Sequence, residues 1–136
     1  MEQAALSGDY SISKDQINSY EKNGFLLLNK VLSEDEINFY RLAVDKAVEQ
    51  RTSHDKRPLS ERSPYEREFL QCGHLWSEFP EIKSLTLSPR LGSIAKQLLK
   101  AKSVRLWHDQ ALYKVPGGDA TEPHQDLSYW PMLDRN

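Results

Sequence analysis

The sequence predicts an α+β domain: helices come first, strands follow, and the sheet has barely begun where the sequence stops at Asn136. Two observations carry this. Helix-start signatures at Ser13, Ser33 and Ser88-Pro89 each precede apolar residues at helical spacing. From Ser103 onward the pattern changes to β-branched and aromatic stretches punctuated by Pro116-Gly117-Gly118.

Residues 1–12 are expected to form a flexible tail, with the domain proper over 13–136. Ser13-Lys14-Asp15-Gln16 is a capping box, in which the serine hydroxyl and the glutamine side chain satisfy each other's backbone N–H. The helix it opens should bury Ile17 and Tyr20 and stop at Asn23-Gly24, because glycine accepts the left-handed conformation at a helix end. Phe25-Leu26-Leu27-Leu28 reads as a short buried strand. A second box, Ser33-Glu34-Asp35-Glu36, opens a longer helix to about Gln50, with Ile37, Tyr40, Val44, Ala47 and Val48 on its core face. Residues 51–66 are polar, carry Pro58 and Pro64, and are expected to be a long exposed loop, either a lid or disordered. Phe69 to Trp76 is a strand or an irregular buried stretch. Ser88-Pro89 caps a helix whose apolar face holds Leu91, Ile94, Ala95, Leu98 and Leu99. Ser103 to Val115 reads as one long strand, and Thr121 to Tyr129 as the next extended stretch.

Composition removes several function classes. Charged residues make up 28% of the chain but the net charge is only -2, so no electrostatic footprint for nucleic acid or an anionic membrane is expected. No apolar run approaches the length of a membrane span, and no signal peptide opens the sequence, so a cytoplasmic protein is expected. The single cysteine, Cys72, excludes a disulfide within the chain and is expected to be a buried small hydrophobe.

The chemistry-bearing pair is His124 and Asp126. In a strand, residues two apart point to the same side, so an imidazole nitrogen and a carboxylate oxygen are offered to one point in space. Together they make two thirds of the 2-His-1-carboxylate triad that holds Fe(II) with three positions open. Zinc accepts the same ligand types and remains an alternative at this stage, as does a surface histidine bonded to its neighbour.

The segments around this pair carry a longer resemblance. Leu106-Trp107-His108-Asp109-Gln110 leads through Lys114 to Pro116-Gly117-Gly118, and Thr121-Glu122-Pro123-His124-Gln125-Asp126 follows, ending in Tyr129-Trp130-Pro131. Nearer the start come Tyr20-Glu21-Lys22-Asn23-Gly24-Phe25 and Val31-Leu32-Ser33. Over residues 13–134 the chain resembles the phytanoyl-CoA dioxygenase family. The resemblance implies N-terminal helices packed on a double-stranded β-helix, or jelly roll, here incomplete. It implies Fe(II) as cofactor, 2-oxoglutarate as cosubstrate, and dioxygen and a small organic molecule as the other partners. By position it makes His124 and Asp126 iron ligands. It places Gln110 on the strand lining the cosubstrate pocket, with Lys114 as a source of positive charge and His108 as a pocket residue. Each of these three also has a plain structural reading: a polar residue on a sheet face, a snorkelling lysine, a hydrogen-bonded histidine. Tyr129 and Trp130 would wall the substrate cavity or pack in the core. A carboxylate at Asp126 implies hydroxylation, since related halogenases have a small residue there.

The family's second iron histidine and its 2-oxoglutarate-binding arginine fall beyond the motif, and His54 and His74 precede it. The expectation is therefore the N-terminal part of a dioxygenase domain, inactive alone. The alternative is a catalytically dead metal- or cosubstrate-binding module on the same scaffold. The substrate and the oligomeric state are not written in these residues.

Overall fold

Serine hydroxyls start four of the five α-helices among the described residues. The computed structural model describes residues 6, 8–114, 116–126 and 130. Helix α1 (Lys14–Asn23) and helix α2 (Glu34–Thr52) begin at Ser13 and Ser33, each with both halves of its capping box formed. Helix α3 (Pro64–Glu68) begins at Ser63 with a third complete box, and helix α5 (Pro89–Leu98) at Ser88. Helix α4 (Pro80–Thr86) has no side-chain cap and starts on proline, whose missing N–H costs nothing in the first turn. Single 3-10 turns lie at Leu59–Glu61 and Leu75–Ser77. Strands β1 (Leu70–Gly73) and β2 (Gln110–Tyr113) pair in a two-stranded sheet. Mixed helix and sheet in one chain is the α+β class expected.

The chain divides into two compact units, Met1–Lys56 with Gln71–Leu112, and Arg57–Leu70 with Tyr113–Asn136. In the first unit, α2 packs on α4, α4 on the Leu75–Ser77 turn, and α1 on α5. Tyr40, Ala47 and Val48 of α2 are buried, as are Cys72, Leu75 and Ile82. The Tyr40 hydroxyl lies 3.1 Å from Ser84 Oγ, which gives its polar end a partner inside this contact. Arg90 of α5 donates to Glu36 Oε2 at 3.0 Å and to the Val31 carbonyl at 2.8 Å. Its hydrogen bond and the Ser33 N–H hold the Glu36 carboxyl below the usual carboxylate range. Within the stretch expected as a tail, Leu6 is buried and Ile12 N donates to Gln97 Oε1, while Gln97 Nε2 donates back to the Tyr10 carbonyl.

Several sequence expectations need correction. Phe25–Leu28 is not a strand: Phe25 is 73% and Leu27 78% exposed, and the run has no ladder partner among the described residues. Its alternation of exposed and half-buried residues shows why the apolar run reads as one. Ser103–Val115 is not one long strand. Among its described residues only Gln110–Tyr113 enters a ladder, with a partner, β1, four residues long. Residues 51–66 are not an uninterrupted loop, since the Leu59–Glu61 turn and α3 occupy part of them. Ile37 does not join the core face of α2. It is 51% exposed, while Val44 is half-buried. Among the described residues, no helix is long and apolar enough to cross a membrane.

Candidate functional site

The five residues singled out from the sequence fall in different units. His108 and Gln110 belong to the first, and Lys114, His124 and Asp126 to the second.

In the second unit, a short network organises the backbone ahead of the His124/Asp126 pair. Arg67 of α3 donates from Nε to Asp119 Oδ2 at 2.9 Å, and Asp119 N donates to the Arg67 carbonyl at 3.0 Å. Lys114 donates from Nζ to the Asp119 carbonyl at 3.0 Å and to Thr121 Oγ1 at 2.8 Å. The same ammonium stands 5.5 Å from the centre of the Phe69 ring. Both ends of Asp119 are thus tied down, and the segment that follows it is fixed at Thr121. Lys114 spends two of its three donors on this loop. Helix α3 is itself stabilised by the Ser63 box and by Arg57, which donates to Glu66 at 2.7 Å. That guanidinium, with the Ser63 N–H, pulls the Glu66 carboxyl down to about 2.

Residues 121–125 are irregular, so strand alternation does not bring His124 and Asp126 together. On its far side the Asp126 carbonyl accepts from Trp130 N at 3.3 Å. His124 Nδ1 lies 2.8 Å from the Glu122 carbonyl. A carbonyl can only accept, so Nδ1 donates to it, and in the neutral ring Nε2 then presents a lone pair, as metal-ligating histidines do. Nε2 stands 3.4 Å from Asp126 Oδ1. At metal–ligand distances of about 2.0–2.2 Å, donors so spaced subtend roughly 100–116° at a shared ion, a range that spans the tetrahedral angle and is wider than the octahedral right angle. The side chains are 46% and 78% exposed, open enough for an ion to enter. The pair therefore fits a divalent metal through two donors. Among the described residues, no group of three or more His, Cys, Asp or Glu side chains is placed to hold an ion.

In the first unit, Gln71 of β1 donates from Nε2 to Gln110 Oε1 at 2.9 Å, and Gln110 Nε2 forms a short contact with His108 Nε2. His74, in the left-handed region with φ 58°, brings its ring centre to 6.3 Å from that of His108. Between His108 and Gln110, Asp109 is fixed at both ends. Its carbonyl accepts from His74 N at 3.2 Å and its Oδ2 from Trp76 N at 2.9 Å.

Sequence reasoning missed Arg67, Asp119 and Gln71. A signal existed for the first. Ser63-Pro64-Tyr65-Glu66 repeats the serine-to-glutamate spacing used at Ser33, with proline at the first helical position, and marks a helix inside the presumed loop. Tyr129, proposed as a cavity wall, lies outside the described residues, while Trp130 is half-buried.

The family model for phytanoyl-CoA dioxygenase matches residues 20–136. The chain belongs to the phytanoyl-CoA dioxygenase family. Within that family it is similar to the ectoine dioxygenase of Bordetella parapertussis, 30% identical over 131 residues. The ectoine dioxygenase of Bordetella bronchiseptica is 29% identical over the same length. In both cases the match covers 91% of this chain and 40% of the relative. The chain thus spans well under half the length of the curated relatives it matches. No solved structure matches it.

Proposed function

We propose that residues 13–136 are the iron-binding N-terminal part of a single jelly-roll domain, a non-haem Fe(II), 2-oxoglutarate-dependent dioxygenase that hydroxylates a small organic substrate. The observation that carries this reading is the His124 Nε2–Asp126 Oδ1 separation of 3.4 Å, with Nδ1 held on the Glu122 carbonyl, inside a chain of this family. His124 and Asp126 hold Fe(II) through one neutral nitrogen and one anionic oxygen. The bound iron supplies the redox chemistry that couples oxidative decarboxylation of 2-oxoglutarate to hydroxylation of a C–H bond.

The chain's own residues bind and orient. The Glu122 carbonyl fixes the tautomer and ring plane of His124. Lys114, Arg67 and Asp119 fix the approach to it. Gln110 offers carboxamide N–H groups to an oxygen of 2-oxoglutarate. Two protein donors are one short of a facial triad, so residues 1–136 alone bind iron weakly and do not turn over. The relatives are named for ectoine, but the span shared with them carries only part of what would select a substrate, and the reading stays at a small organic molecule.

The test is anaerobic equilibrium dialysis against Fe(II), with and without 2-oxoglutarate, followed by metal analysis. Iron retained when 2-oxoglutarate is present, and not retained by Asp126→Ala, supports the reading. Preferential retention of zinc, with no effect of 2-oxoglutarate, contradicts it.

A further inference from the structure

The sequence gives no sign that Gln71 matters, yet it stands at the head of a hydrogen-bonded relay. Its carboxamide N–H donates to Gln110 Oε1, and Gln110 Nε2 meets His108 Nε2. A carboxamide nitrogen can only donate, so His108 Nε2 must accept and the proton of the neutral ring must sit on Nδ1. The relay stands on a rigid mount. His108 and Gln110 flank Asp109, whose carbonyl and carboxylate are fastened to the backbone N–H groups of His74 and Trp76 at 3.2 and 2.9 Å.

We propose that Gln71 is a positioning residue: by donating to Gln110 Oε1 it sets which way the Gln110 carboxamide faces, and through it the tautomer of His108. The functional half rests on the reading above. One N–H of Gln110 is used on His108, and the other is aimed by Gln71 for a carboxylate oxygen of 2-oxoglutarate. The relay can also run in reverse. Both carboxamides turn over, Gln110 Oε1 accepts from His108, and the ring proton moves to Nε2. Whether the group at position 71 can donate decides between the two directions.

Gln71→Glu is the discriminating variant, because a carboxylate accepts and cannot donate. It forces Gln110 to donate toward position 71 and to accept from His108. The measurement is the nitrogen-15 spectrum of the His108 ring at neutral pH, which reports the tautomer without any iron or turnover. The expected result is Nδ1–H in the unaltered chain and Nε2–H in Gln71→Glu. Gln110→Glu, whose carboxylate would accept from both neighbours, is a second route to the Nε2–H form should the first variant fail to fold. The same His108 tautomer in the unaltered chain and in whichever variants fold overturns the relay. The second readout is 2-oxoglutarate affinity by anaerobic titration in the presence of Fe(II). It should fall at least about tenfold in Gln71→Glu, the loss of one hydrogen bond to a charged group. A switched tautomer with unchanged 2-oxoglutarate affinity upholds the relay and removes Gln110 from the cosubstrate site.

Discussion

Arg67→Ala separates bracing of the metal loop from overall stability. The Arg67–Asp119 ion pair is 2.9 Å long, with side chains 35% and 49% exposed. A hydrogen bond to a charged group contributes about 1.5–3 kcal/mol when shielded from water. At this exposure solvent screening brings the pair down to roughly 0.5–1 kcal/mol. The bond from Asp119 N to the Arg67 carbonyl survives the substitution, since it uses backbone alone. Global stability should therefore drop only slightly, by about 2–4 °C in melting temperature. If the lost energy is what orders the approach to His124, the same 0.5–1 kcal/mol appears as a two- to fivefold weaker affinity for a divalent ion, on the order expected from RT ln K. The assay is calorimetric titration with Fe(II) under anaerobic conditions at low and high salt. The unaltered chain should approach the variant at about 1 M salt, where charges this exposed are screened. An affinity unchanged at low salt would refute the bracing role. A loss beyond about a hundredfold would also refute it, by placing Arg67 next to the ion.

Further expectations concern the frame. Ile82→Ala removes a side chain only 3% exposed and should cost about 2–5 kcal/mol, read from urea unfolding monitored by circular dichroism. Cys72 is buried, and burial pushes its thiol up while the Arg51 charge opposes this only in part. It should resist alkylation in native buffer and react once the chain is unfolded. Glu66 has its carboxyl pulled from the usual 4.5 down to about 2, chiefly by Arg57. Its contribution to α3 is complete above about pH 4.5 and is lost as pH falls through about 2. Glu66→Gln should flatten the acid limb of stability in that window, and an unchanged acid limb would count against the pair.

Legibility followed locality. The capping boxes at Ser13 and Ser33 and the Ser88-Pro89 start are satisfied within one helical turn, and each helix begins where its serine stands. Strand pairing is nonlocal: among the described residues Phe25–Leu28 has the composition of a strand and lacks a ladder, while Ser103–Leu106 and its neighbours have β-branched and aromatic content without a partner long enough to hold them. Periodicity also overstated α2, where Ile37 sits at core spacing but the first turns of the helix are open to solvent. At the site, the His124 and Asp126 residue types were legible and their geometry was not, since residues 121–125 are irregular and no strand alternation sets the pair. Arg67–Asp119 and Gln71–Gln110 join residues 52 and 39 positions apart, separations at which no local pattern reports a contact.

The central claim is that His124 and Asp126 share one metal ion, and the four histidines of the chain make it directly measurable. Side-chain nitrogen-15 spectra recorded during anaerobic Fe(II) addition should show His124 Nε2 broadening first, ahead of His54, His74 and His108, with the effect abolished in Asp126→Ala. Broadening centred on His74 or His108, or persisting at His124 without the Asp126 carboxylate, would contradict the account.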